Sequence, residues 1–138
     1  MTAVYELDGS VFGDLSGFAS LFSATVLDSP HAWDGNLDAF EDILRGGFGT
    51  PAEGFTVRIV NTAAARRALG FPATIAWLED RARHCHPLNR NNFLVRLGDA
   101  RAGRGPTLFD MLVTIVRDHG AGGRESEDMI VLELDDGA

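Results

Sequence analysis

Ala32-Trp33-Asp34-Gly35-Asn36-Leu37-Asp38-Ala39-Phe40-Glu41-Asp42-Ile43-Leu44 reads as a short amphipathic helix whose polar side is almost pure carboxylate. Leu37, Phe40 and Leu44 recur at i, i+3 and i+7, the spacing that aims apolar side chains at one core face. Asp38 and Asp42 are four apart and so neighbours on the opposite face, with Glu41 beside them. Like charges at that spacing cost an isolated helix roughly 0.2–0.5 kcal/mol per pair, so three acids crowded without a basic partner call for a reason. One reason is local. Acids in the first turns complement the positive end of the helix dipole, and Asp34 or Asn36 can cap the helix by accepting a backbone N–H bond. That explains Asp34 and Asp38 better than Asp42, which lies further along. The other reason is recognition, because a row of fixed carboxylates imitates a run of phosphates.

Working outward from this helix, the pattern predicts a strand at Val4 to Leu7, a helix at about Leu15 to Phe22, the acidic helix from Asn36 to Arg45 and a strand at Phe55 to Val60. Two or three helices follow, then a helix from Thr107 to His119 and a strand from Met129 to Leu134. Strands separated by helices need crossover connections, which implies an α/β fold with a small three-stranded parallel sheet packed with helices. Thr107 with Asp110 three residues on makes an acidic variant of the capping box, and Gly120 offers a stop. The helix between them is apolar on most sides and should be largely buried. Gly46-Gly47 and Gly122-Gly123 read as turns, and Asp135 to Ala138 as a short acidic tail.

These segments resemble the barstar family of intracellular inhibitors of secreted microbial ribonucleases. Asn36, Leu37, Asp38, Ala39, Asp42, Leu44 and Gly46 match the family's binding-helix pattern in place. Val4 to Gly9 is similar to its first strand and turn, Phe55 to Asn61 to its second strand, and Thr107 to His119 with Met129 to Leu134 to its last helix and strand. The resemblance covers about two thirds of the chain and implies a single barstar-like domain over residues 1–138.

Composition is compatible with that reading. With 138 residues the chain is long enough to bury a core without staples, and its only cysteine, Cys85, excludes an intramolecular disulfide. No apolar run approaches the length of a membrane span, and Met1 to Glu6 carries neither a basic stretch nor an apolar signal core, so the expected location is the cytoplasm, with no membrane partner. The net charge of −8 argues against nucleic acid as a direct ligand and suits a basic protein partner. Arginine supplies all twelve positive charges; without lysine the chain cannot carry a P-loop, a Schiff-base lysine or a Ser-Lys dyad.

The charge is uneven. Between Asn61 and Gly105 there are eight arginines against three acids, while the rest of the chain has four arginines against seventeen acids. This middle stretch is also where the resemblance fails, because the chain is longer there than the archetypal inhibitor, and it reads as a helical insertion over about 61–105. Pro72, Pro87 and Pro106 fall near successive helix starts, where a missing N–H does little harm. The basic segment is a second contact surface, a counterweight to the acidic face, or an ordinary solvated helical excursion.

Enzymatic constellations are thin, and the chain is expected to be an inhibitor and not an enzyme, with no cofactor. His84-Cys85-His86 has no second cluster to complete a zinc site, and consecutive side chains point in different directions. His31 and His119 stand isolated in the sequence. A Glu41 and His119 acid-base pair would sit on a surface too acidic to hold RNA. No Gly-x-Ser-x-Gly elbow occurs.

The resemblance implies occlusion of a ribonuclease active site. Asp42 would fill the phosphate position with Asp38 alongside, Glu41 lies between them, and Asp118 stands where the family has an acidic contact on its last helix. Asn36 would hold the start of the helix and touch the rim, and Gly46 would let the partner approach closely. Trp33 would offer aromatic contact area, or else cover the edge of the core. The implied partner is a barnase-type ribonuclease, or a ribonuclease toxin against which the chain acts as an immunity protein. A barstar-like interaction or regulatory module docking on a different basic protein is the alternative. The chain also departs from the family. Ala32, Glu41 and Gly47 stand where the archetype has aromatics, and Asp34-Gly35 reverses a glycine-acid order, which shifts the contact from packed toward electrostatic.

Overall fold

The computed structural model describes residues 3–28, 31–46, 48–51 and 53–135, so Gly47 and the tail residues 136–138 lie outside it. The elements follow in the order β1 (Ala3–Asp8), α1 (Leu15–Val26), α2 (Leu37–Arg45), β2 (Phe55–Val60), α3 (Thr62–Ala68), α4 (Phe71–His84), α5 (Pro87–Arg101), α6 (Leu108–Asp118) and β3 (Ile130–Asp135), with one 3-10 turn at Ser126–Asp128. The three strands form one parallel sheet in the order β1-β2-β3, as the strand-helix alternation requires. The middle stretch holds three helices. In α1 the apolar face runs one turn further than expected, through the buried Val26.

Alternation along each strand divides the sheet into two faces. Leu7, Phe55, Val57, Ile59 and Ile130 point into the core beneath the helices. On the other face Glu6, Arg58 and Glu133 are register partners across the three strands, with Arg58 Nη2 3.3 Å from Glu133 Oε1, and these charges keep that face in water. A parallel sheet usually has both faces covered, so the uncovered face marks a small two-layer domain.

The core is dominated by aromatics. Phe18, Phe22, Trp33 and Phe40 interlock, with Trp33 stacked on Phe40 at 4.4 Å and Phe22 edge-on to Phe40 at 5.1 Å. Edge-on and offset contacts of this kind add to the area they bury. Phe40, Ile43 and Leu44 drive α2 into this cluster, while Leu37 is half-buried at its margin. The α4–α5 pair has a smaller core of its own in Leu78, Leu97 and Ala100, flanked by Trp77 and Phe93. It is tied to the main body through α6, where Thr74 Oγ1 accepts from Leu108 N at 2.8 Å, and just before α4 the Leu69 carbonyl at the end of α3 accepts from Phe109 N at 3.1 Å.

Local signals account for the helix ends. Asp14 accepts from Gly17 N, and Thr107 and Asp110 complete a reciprocal capping box on α6. Pro72 and Pro87 occupy first-turn positions of α4 and α5. At the far end of α6 a side chain on Gly120 would overlap the Ile130 carbonyl, so a glycine lets the chain pass closely over the start of β3. That strand begins at Ile130, one residue later than the pattern suggested, because Met129 takes a left-handed conformation at φ 55°.

Candidate functional site

The acidic helix is positioned from beneath. Asn36 is its N-cap, its side-chain oxygen accepting from Ala39 N at 3.0 Å, and Asp34 in turn accepts from Asn36 N at 3.0 Å. The Trp33 indole N–H donates to the Asn36 carbonyl at 2.7 Å. Trp33 is only 5% exposed, so the aromatic contact area expected of it is turned inward. Its large ring fills the space between Phe18, Phe22 and Phe40, and that burial holds the first turn of α2 in place. At the other end Gly46 has φ 112°, which a residue with a side chain rarely adopts, and among the described residues no atom beyond its chain neighbours lies within 4 Å of where a Cβ would be.

The carboxylates on the outer face are not equivalent. Asp38 is exposed and forms no ion pair among the described residues. Asp42, 63% exposed, is paired at 2.6 Å with Arg45, a cation on the same helix that the reading of three unpartnered acids overlooked. Arg45 also grips Glu125 with a two-pronged contact at 2.5 and 2.9 Å. Asp118 is further from a free anion. Its side chain is 15% exposed and takes both the guanidinium and the backbone N–H of Arg124. The i, i+3 spacing of Asp42 and Arg45 was visible in the sequence, whereas Glu125 is 80 residues from Arg45 and only the fold brings it there.

His119, isolated in the sequence, is not isolated in space. It is fully buried, its Nδ1 is 2.6 Å from Asp128 Oδ2, and its Nε2 lies 3.6 Å from Glu125 Oε2 without a hydrogen bond. Potential ligand atoms of Glu41, His119 and Glu125 lie within 4.8 Å of one another. The Arg45 fork engages both Glu125 oxygens, and Glu125 lies beside the buried His119 that contacts Asp128, an ion network joining α2 to the segment between α6 and β3. The His84-Cys85-His86 triplet is dispersed: His84 contacts Asp80, Cys85 Sγ reaches the Ala82 carbonyl, and His86 caps α5 by accepting from Leu88 N.

The network has a pH signature. The Arg124 side chain first, and then its backbone N–H, hold Asp118 below its ordinary carboxylate value, and the Arg45 hydrogen bond does the same for Glu125. Groups with depressed folded-state values contribute stability above their unfolded pKa of about 4, and lose it as pH falls through the lower folded value. The thermal midpoint should therefore fall as the pH is lowered below about 4, and the fall should be shallower in Arg45→Ala. Thermal melts across that range check this; identical pH profiles for the two proteins would contradict it.

Among the described residues no helix is long and apolar enough to cross a membrane. A family model described as Barstar (barnase inhibitor) matches residues 2–98, more than half of the chain. The match takes in β1, α1, α2, β2, α3 and α4, runs into α5, and ends before α6 and β3. No curated protein and no solved structure matches.

Proposed function

The chain belongs to the barstar family, and on that premise we propose that it is a cytoplasmic inhibitor of a barnase-type ribonuclease or ribonuclease toxin, plugging the basic active site with α2. Proteins of this family are inhibitors, not enzymes, and the family implies binding of a barnase-like ribonuclease. The observation that carries the finer reading is the exposure of Asp38 and Asp42 on one face of a helix whose other face is locked into an aromatic core. Fixed anions in a fixed frame meet a cationic cleft without paying much ordering entropy.

In this reading Asp42 fills a phosphate position, Asp38 pairs beside it, and Glu41 adds to the field. Asn36 touches the rim and Gly46 leaves room for the partner's backbone. Trp33 acts through the helix it supports, and Asp118 contributes through the network, since Arg124 already covers it. A partner cation reaching Asp42 must displace Arg45, which keeps Glu125 as its second anchor. Arg45→Ala should therefore speed association with the ribonuclease several-fold at low salt, with the gain shrinking near physiological ionic strength. Stopped-flow association rates over a salt series check this, and an unchanged or slower rate at low salt would contradict the exchange.

The domain organisation belongs to the same proposal: one barstar-like domain with a helical insertion over about 61–105, which includes α4 and α5. The plug itself is tested by calorimetry against a barnase-type ribonuclease, free and with a nucleotide competitor filling its active site. Competition should weaken binding in proportion to nucleotide occupancy. Equal affinity for both forms would put the contact elsewhere.

A further inference from the structure

We propose that the groove between α2 and the α4–α5 pair is a second binding subsite, which takes a carboxylate-bearing loop of the same ribonuclease partner. The inference rests on the α2 reading above. The groove has a volume of about 440 Å³, and its walls combine Asn36, Leu37 and Asp38 of α2 with Trp77, Arg81, Phe93 and Arg96 of α4 and α5, over a floor from α6. It is thus continuous with the proposed contact face, sharing the first turn of the acidic helix.

Its chemistry is opposite to that of α2. Arg96 lies 5.5 Å over the Trp77 ring and 5.6 Å from the Phe93 ring, and Arg81 lies 5.5 Å over the Phe93 ring. Both arginines are half-buried, and among the described residues neither forms an ion pair. Among the described residues, the hydrogen bond that Arg96 makes is to Met111 Sδ, at 3.5 Å. Stacking on aromatic faces restrains a guanidinium without using up its planar array of donors, so both forks remain able to receive a carboxylate. Of the other arginines on these helices, Arg101 pairs with Glu79 at 2.9 Å and Arg90 donates to the Ala82 carbonyl at 3.1 Å. What sets Arg81 and Arg96 apart is their place: both line the groove beside the acidic helix, each over an aromatic ring, whereas Arg83 and Arg90 lie outside it.

The contact face is therefore bipolar, with anions on α2 and two pre-positioned cations across the groove. A ribonuclease that complements it has an acidic side chain flanking its basic cleft. One that carries a basic residue there meets like charge at a half-buried site and is rejected. The α4–α5 pair thus selects among ribonucleases whose active sites alone would look alike. Asp38 and Asp110 at the groove margin favour a single carboxylate over a more highly charged phosphate.

The test uses the full chain and whichever ribonuclease it inhibits most tightly. Arg81→Gln/Arg96→Gln should weaken binding tenfold or more with an unchanged thermal midpoint, and should leave the effect of Asp42→Ala intact. The loss should couple, in double-mutant cycles, to one acidic residue on the ribonuclease. Wild-type binding by the double variant, while Asp42→Ala still loses affinity, would overturn the groove and leave the α2 reading standing. If the double variant melts early, Arg81→Gln alone carries the cycle, and absence of coupling to any partner acid overturns the proposal. Binding of a short RNA oligonucleotide that is lost in the double variant would also overturn it. Failure to bind any ribonuclease would remove the α2 reading and this one with it.

Discussion

Asp42→Ala is expected to weaken the complex with the target ribonuclease by at least about 2 kcal/mol, roughly thirtyfold, while shifting the thermal midpoint by no more than a degree or two. That figure is the usual threshold for an interface hot spot, a class in which the family's archetype is itself a standard case. The two halves of the expectation have different physical origins. In the free protein Asp42 is mostly exposed, and among the described residues its only ion pair is with Arg45, an exposed i, i+3 contact of little worth to the fold. In the complex the same carboxylate would be desolvated against the partner's cations, where removing it leaves those cations buried and unpaired. Calorimetric affinities and melting curves of the two proteins check both halves together. Unchanged affinity would remove Asp42 from the contact, and a large fall in midpoint would mean that its pairing with Arg45 holds more of the fold than its exposure suggests.

Phe40→Ala should cost about 3–5 kcal/mol of folding stability, the range for deleting a buried phenylalanine. Phe40 is fully buried, stacks on Trp33 and meets Phe22 edge-on, so its loss empties the centre of the aromatic cluster. Against a total stability of about 5–15 kcal/mol for a domain of this kind, such a loss brings the chain close to unfolding at physiological temperature. It should also loosen α2, since the Trp33 ring that packs on Phe40 donates to the Asn36 carbonyl at the start of the helix. Urea denaturation measures the loss. A change below about 1 kcal/mol would show that the cluster can close over the gap.

The fold was legible wherever the signal is local. The run Phe55 to Val60 is apolar on most positions and bounded by Gly54 and Asn61, and it is the strand β2 to the residue. Thr107 and Asp110 announced a cap that both side chains make. The acidic helix, its buried face and its exposed carboxylates were likewise readable from spacing. Trp33 was not, because an aromatic residue before a helix can turn either way; its direction depends on Phe18 and Phe22, ten or more residues back. The pairing state of the acids was also hidden. Arg45 was close enough to notice, but its bridge from Asp42 to Glu125, the Arg124 clasp on Asp118 and the burial of His119 all depend on the segment between α6 and β3 folding back toward α2. The excess of arginine in the middle stretch was plain, whereas the placement of Arg81 and Arg96 opposite Asp38 required the packing of α4 and α5.

The central claim is that α2 occupies a ribonuclease active site, and inhibition of RNA cleavage by a panel of barnase-type ribonucleases tests it most directly. Wild type and Asp42→Ala are compared at low and near-physiological salt. The account predicts one-to-one inhibition of at least one ribonuclease by wild type, weakened by salt and weakened further by the substitution. Cleavage that continues unchanged across the whole panel, or inhibition that Asp42→Ala leaves intact, would contradict it, the first by pointing to a different basic protein as partner and the second by moving the contact off the acidic helix.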